Sequence, residues 1–125
     1  MGTLRLQVEV SNGELYDKHT ILQIKKDKGL PVDKELKKLD SLVVKIKSQH
    51  ESTEHLYRVL FSINTVLWDI EDTKRQCERD KEFGKKFIEH SRLVYLLNDQ
   101  RASVKRMIDV ITNSGIIEYK EHKGR

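Results

Sequence analysis

After Pro31 this sequence contains no further proline, and along the rest of the chain apolar residues recur three and four positions apart. Helix interiors exclude proline because its ring removes a backbone donor and collides with the preceding turn. A long proline-free chain with that spacing has the pattern of amphipathic helices, so the expected fold class is all-α. Charged residues make up 35% of the chain, enough to give each helix a solvated outer face.

Four helices can be placed. In "SNGE", Ser11 is an N-cap with Glu14 three residues on, a capping box, so helix 1 begins near residue 12. It carries Leu15, Ile21, Leu22 and Ile24 and stops around Gly29, where glycine takes a left-handed cap cheaply, before Pro31 opens the next helix. Helix 2 covers about 32–48, with Leu36, Leu39, Val43 and Ile46 as a buried stripe. "SQHESTE" (48–54) is read as a turn with a new N-cap, since the alternative is one helix of nearly fifty residues. Helix 3 then runs from about 52 to 79, and helix 4 from "KEFGKKF" to Asn113-Ser114-Gly115, with Gly115 as the cap. Outside the helices, "LRLQVEV" (4–10) alternates as a half-buried strand does, and its candidate partner is "GIIEYKE" (115–121). The expected architecture is a single helical domain over 1–125. It is a four-helix, bundle-like fold with a long antiparallel helix 3/helix 4 hairpin and a short two-stranded ribbon joining the termini.

The single cysteine, Cys77, allows no internal disulfide and fits a reducing compartment. No apolar run approaches the roughly 18 residues that span a bilayer, so the expectation is a soluble, cytoplasmic protein with no membrane partner. The net charge of +4 is a small excess of 24 basic over 20 acidic residues, with no run of five like charges, which argues against nucleic acid.

The faces of the helices raise a sharper question. On helix 3, Asn64, Glu71 and Arg75 share an arc with Leu60, Leu67 and Trp68, and Asp72 sits at its edge. Arg58, Ser62, Thr65, Asp69, Thr73 and Gln76 form a wholly polar opposite strip, while Val59, Val66, Ile70 and Cys77 make a second apolar flank. Helix 3 is therefore expected to be the central helix. On helix 4, Asn98, Arg101 and Lys105 lie on the face of Phe87, Val94 and Ile108. Helix 1 adds Glu14, Asp17, Lys18 and Lys25 on its apolar arc, with His19 and Lys26 pointing outward. Burial demands that such groups pair, and Glu71 with Arg101 or Arg75, and Glu14 with Lys18, are the pairs the wheels suggest. The alternative is a polar pocket between helices with Trp68 as a wall, able to hold an anionic ligand.

No glycine-rich phosphate loop, serine elbow, C-x-x-C or H-E-x-x-H motif is present. Of His19, His50, His55, His90 and His122, only His90 is placed inward, which gives no nitrogen-rich metal site. Glu14 and Asp17 with Glu71 and Asp72 could gather carboxylates around Mg²⁺, but a paired-carboxylate site would also need Asp69, which points to water. No metal or cofactor is assigned, and no catalytic residue is named.

"VSNGELYDKHTILQIK" (10–25), "NTVLWDIEDTKRQCE" (64–78) and "FIEHSRLVYLLNDQRASVKRMI" (87–108) together resemble the three signature blocks of a small bacterial and phage helical family of unknown function. The resemblance spans almost the whole chain. It implies a stand-alone helical domain and a bacterial or viral source, and no activity. Position by position it picks out Glu14, Asp17, Lys18, Lys25, Asn64, Trp68, Glu71, Asp72, Tyr95, Asn98, Arg101 and Lys105, with Asp69 and Asp99 on outward faces.

The sequence reading is a non-enzymatic accessory or binding domain with a buried charged cluster, engaging a protein partner or an anionic small molecule. The alternative is an enzyme acting on a phosphorylated or carboxylated small molecule in the same inter-helix pocket. A homo-oligomer is left open.

Overall fold

The computed structural model describes residues 3–115. Within them lie four helices: α1 (Asn12–Asp27), α2 (Asp33–Gln49), α3 (Thr53–Arg79) and α4 (Lys85–Ile111). α3 and α4 form the most extensive pair, a long antiparallel hairpin. α1 packs on both of them, and α2 packs on α1. The core joins all four helices through Leu15, Tyr16, Val43, Leu60, Leu67 and Ile108.

Local chemistry sets the helix limits. Ser11 Oγ accepts from the Glu14 amide at 3.0 Å and so caps α1. At its other end Gly29 sits at φ 85°, and the Leu30 amide reaches back to the Lys25 carbonyl at 3.0 Å. The joint between α2 and α3 is a turn: the Thr53 amide and hydroxyl both donate to the His50 carbonyl, at 3.0 and 2.7 Å, and start a new helix there. α4 ends differently from expectation. Asn113, at φ 51°, takes the left-handed position assigned to Gly115, and the Ser114 amide donates to the Asp109 carbonyl at 2.9 Å. Asparagine tolerates this conformation better than other residues with a Cβ, so glycine is not required.

The ribbon is not supported. Residues 3–10 have no regular structure, and Leu4, Leu6 and Val8 are about 80% exposed. A strand exists only through a partner's backbone hydrogen bonds, and 116–121 of the proposed partner lie outside the described residues. The second apolar flank of α3 is also only partly covered: Ile70 and Cys77 are buried, whereas Val66 is 46% exposed. No described helix is long and apolar enough to cross a membrane.

Candidate functional site

Polar groups from α1, α3 and α4 converge around Asp17, which is 1% exposed. Arg101 Nε donates to Asp17 Oδ1 at 2.8 Å and Arg101 Nη2 donates to Oδ2, a two-pronged fork that matches the planar carboxylate. Asn64 Nδ2 donates to the same Oδ1 at 2.9 Å and to Thr20 Oγ1 at 2.8 Å, while the Thr20 hydroxyl donates to the Asp17 carbonyl at 2.7 Å. Arg101 Nη1 lies 3.4 Å from Asn98 Oδ1. Each Asp17 oxygen thus meets a donor, as the burial of a carboxylate requires.

Two further links extend this contact toward the N-terminus of α1 and the C-terminus of α4. Lys105 Nζ, itself buried, pairs with Glu14 Oε2 at 2.7 Å. Next, Asp109 Oδ1 accepts from the Gly13 amide at 2.7 Å, a carboxylate at the positive end of α1. Arg101, Lys105 and Asp109, four residues apart on α4, therefore meet Asp17, Glu14 and Gly13 in antiparallel order along α1. Close approach depends on Gly13: a Cβ there would stand 2.3 Å from the Lys105 carbonyl oxygen.

Beside this ladder a cleft of about 240 Å³ opens between α1, α3 and α4. Ile21, Ile24 and Leu67 give it an apolar lining, and Trp68 is a half-buried wall. Glu71, Asp72, Arg75 and Arg101 bring charge to it. Arg101 is compensated by Asp17, so Arg75 is the lining guanidinium whose charge that carboxylate does not offset. Lys28 Nζ lies 5.4 Å from the Trp68 ring centroid and adds a cation at the same wall.

Of the residues expected in the cluster, Glu14, Asp17, Asn64, Arg101 and Lys105 are brought together, with Asn98 in contact through Arg101. Trp68, Glu71 and Asp72 line the neighbouring cleft. The expected pairings are corrected: Arg101 forks onto Asp17 instead of Glu71, and Glu14 takes Lys105 instead of Lys18. Lys18 is exposed and Lys25 half-buried. Arg75, expected inward, is exposed at the cleft. Gly13, Thr20 and Asp109 were missed. The four-residue spacing of Arg101, Lys105 and Asp109, and the glycine just inside a capping box, were the signals that could have found two of them. Among the described residues no three His, Cys, Asp or Glu side chains gather as metal ligands would.

A model of a family of unknown function, DUF6165, matches residues 6–124, nearly the full chain. The chain belongs to that family. No curated protein and no solved structure is similar to it at a significant level. The matched span contains all four helices, so the Asp17 cluster and the Trp68 cleft both lie inside the region the family shares in length.

A second polar group was misplaced by the helical wheel. His19, expected outward, is 8% exposed. Its Nε2 lies 2.7 Å from Asp40 Oδ1 and its Nδ1 2.6 Å from the Tyr57 hydroxyl. Asp40 accepts from Nε2–H, so in the neutral ring Nδ1 is the acceptor for Tyr57. α2 supplies Asp40 and α3 supplies Tyr57, and an α1 wheel contains neither. Tyr57 also packs edge-on to Tyr16, whose hydroxyl is 2.7 Å from Thr53 Oγ1.

Burial, reinforced by the negative charges of Glu54 and Asp40, pushes the Tyr57 phenol up to about 12, and burial raises Tyr16 as well. Because the folded state holds these protons more tightly than the unfolded chain, their stabilisation is fully present below about pH 10. It is lost as pH rises through the folded-state values. An alkaline absorbance titration is expected to show Tyr57 ionising only near pH 12, and Tyr57→Phe should remove that late step. Tyrosinate formation complete near pH 10 would contradict this placement of the ring.

Proposed function

We propose that this chain is a non-enzymatic binding domain whose Asp17 cluster is framework and whose Trp68 cleft receives an anionic small molecule. The supporting observation is the division of labour between the two. Asp17 and Glu14 of the ladder are tied to Arg101 and Lys105, whereas the cleft beside it presents an aromatic wall, apolar side chains and the Arg75 guanidinium. At about 240 Å³ it falls below the roughly 300–1,000 Å³ typical of pockets for drug-sized ligands, so a compact molecule suits it. Its anionic group meets Arg75, its flat or apolar part lies against Trp68 and Leu67, and Glu71 and Asp72 accept hydrogen bonds from its hydroxyl or amino groups.

Trp68 is the only tryptophan, so intrinsic fluorescence reports directly on the cleft. Titration with nucleotides and sugar phosphates is expected to give a saturable emission change together with a rise in Tm. Ligand at a hundred times its Kd stabilises the folded state by about 2.7 kcal/mol. Arg75→Ala should abolish both responses and leave the Tm of the unliganded protein unchanged, since this side chain is exposed. A panel of such compounds that moves neither signal would refute the reading. Glu71 and Asp72 face the same cleft and carry the enzymatic alternative: turnover of a bound compound that Glu71→Gln eliminates would establish it in place of simple binding.

A further inference from the structure

The Trp68 cleft does not stop at Arg75. A second hollow, of about 520 Å³, adjoins it at the C-terminal end of α3, and Asp72 and Arg75 line both. Arg79 and Lys86 add two more cations there, and among the described lining residues Asp72 is the only carboxylate. None of the three cations is in an ion pair among the described residues, and the side chains of Arg75 and Lys86 make no hydrogen bond either. Arg79 Nη2 donates to Gln76 Oε1 at 2.6 Å, and a neutral amide orients a guanidinium without offsetting its charge. The nearby Asp80 carboxylate accepts from Nε2 of that same amide at 3.0 Å.

Exposed cations are well solvated without a partner, so their number alone selects no ligand. Their order does. Trp68, Asp72, Arg75 and Arg79 follow one another at spacings of four, three and four, which keeps them on one stripe of α3. Outward from the cleft this stripe presents an aromatic ring, a hydrogen-bond acceptor and then two guanidiniums, with Lys86 of α4 lining the same hollow as the last. The groups of a nucleotide come in the same order: a planar base, a sugar with hydroxyl donors, and a chain of phosphates. We propose that the two hollows form one site for a nucleoside di- or triphosphate, an inference that rests on the Trp68 cleft being a binding site. The base lies on Trp68, the sugar hydroxyls donate to Asp72, the first phosphate meets Arg75, and the following ones meet Arg79 and Lys86. Length decides against a monophosphate. At about 1.5 Å of rise per residue, Arg75 stands about 10 Å along α3 from Trp68 and Arg79 about 6 Å further, so a single phosphate at Arg75 leaves Arg79 unused. Linked phosphates reach it.

The test titrates the full chain with the mono-, di- and triphosphates of uridine and adenosine and with inorganic triphosphate. Trp68 emission and calorimetry are read together, without divalent cations so that the phosphates present their full charge. Both nucleotide series are expected to change the emission, with affinity rising about tenfold for each added phosphate. Inorganic triphosphate should bind more weakly than either nucleoside triphosphate and leave the emission unchanged. Arg79→Gln combined with Lys86→Gln should shrink the preference for triphosphate over monophosphate from about a hundredfold to below about tenfold. Helical circular dichroism should stay unchanged, because both side chains are exposed. Equal affinity for mono- and triphosphates, or a preference that survives the double substitution, overturns the inference and leaves the cleft reading standing. Inorganic triphosphate bound as tightly as the nucleotides also overturns it, since the aromatic wall then contributes nothing. Failure of the cleft reading itself looks different: no nucleotide of either series binds or moves the emission, and the inference falls with it.

Discussion

Replacing Asp17 by alanine is expected to destabilise the folded chain by about 3–5 kcal/mol, the range found when one partner of a buried ion pair is removed. Domains of this size are stable by only about 5–15 kcal/mol, so the variant should melt far below the parent or fail to fold at physiological temperature. The reason is what remains behind. The Arg101 side chain is 28% exposed and would keep its charge with its forked acceptor gone. Asn64, 5% exposed, would lose one of its two acceptors. Asp17→Asn keeps the shape but turns an amide toward a guanidinium that needs an acceptor, so it should recover only part of the loss. Urea unfolding of the three proteins decides the matter. A cost under about 1 kcal/mol for alanine would mean that Arg101 is solvated and the cluster is not a core element. Replacing Asp17, Asn64 and Arg101 together by apolar residues of similar volume should cost much less than the single alanine, because no charge is then left unpaired.

The second large effect is expected at Gly13. In an ordinary helix, glycine to alanine stabilises by up to about 1 kcal/mol. Here the added methyl would stand 2.3 Å from the Lys105 carbonyl oxygen and 2.9 Å from Asp109 Oδ1. The nearer obstacle is backbone, so α1 must withdraw from α4, lengthening the Gly13 amide to Asp109 bond and loosening Glu14 from Lys105. Gly13→Ala is therefore expected to destabilise by about 3 kcal/mol, toward the upper end of overpacking costs. The sign alone is diagnostic: a thermal melt showing the alanine variant to be more stable would exclude the close α1–α4 approach.

Much of the fold is legible in local signals. Ser11, Gly29 and the proline-free 3–4 spacing mark helix limits through backbone geometry and capping, which act within a few residues. The exchange of Gly115 for Asn113 at the end of α4 shows the resolution of such signals, since either residue accepts a left-handed conformation. The ribbon failed on different grounds: alternation in "LRLQVEV" states what a strand would look like, while a strand's existence depends on a distant neighbour. For the cluster, periodicity found Asp17, Asn64, Arg101 and Lys105 because a side chain's angular position on its own helix follows from 100° per residue. It assigned the wrong partners because a wheel contains no information about which helix approaches, or at what height.

By itself, then, the sequence determined the helices, the Ser11 and Gly29 caps and the inward placing of Asp17, Asn64, Arg101 and Lys105, all properties of one helix and its own backbone. The tertiary structure alone decided that Asp17 receives Arg101, that His19 is enclosed by Asp40 and Tyr57, and that a cleft opens at Trp68. Partner choice depends on the axial register between helices, where a shift of one turn, about 5.4 Å, exchanges every pair. Here that register is fixed by the absence of a single Cβ at Gly13, which lets α1 rest against the backbone of α4.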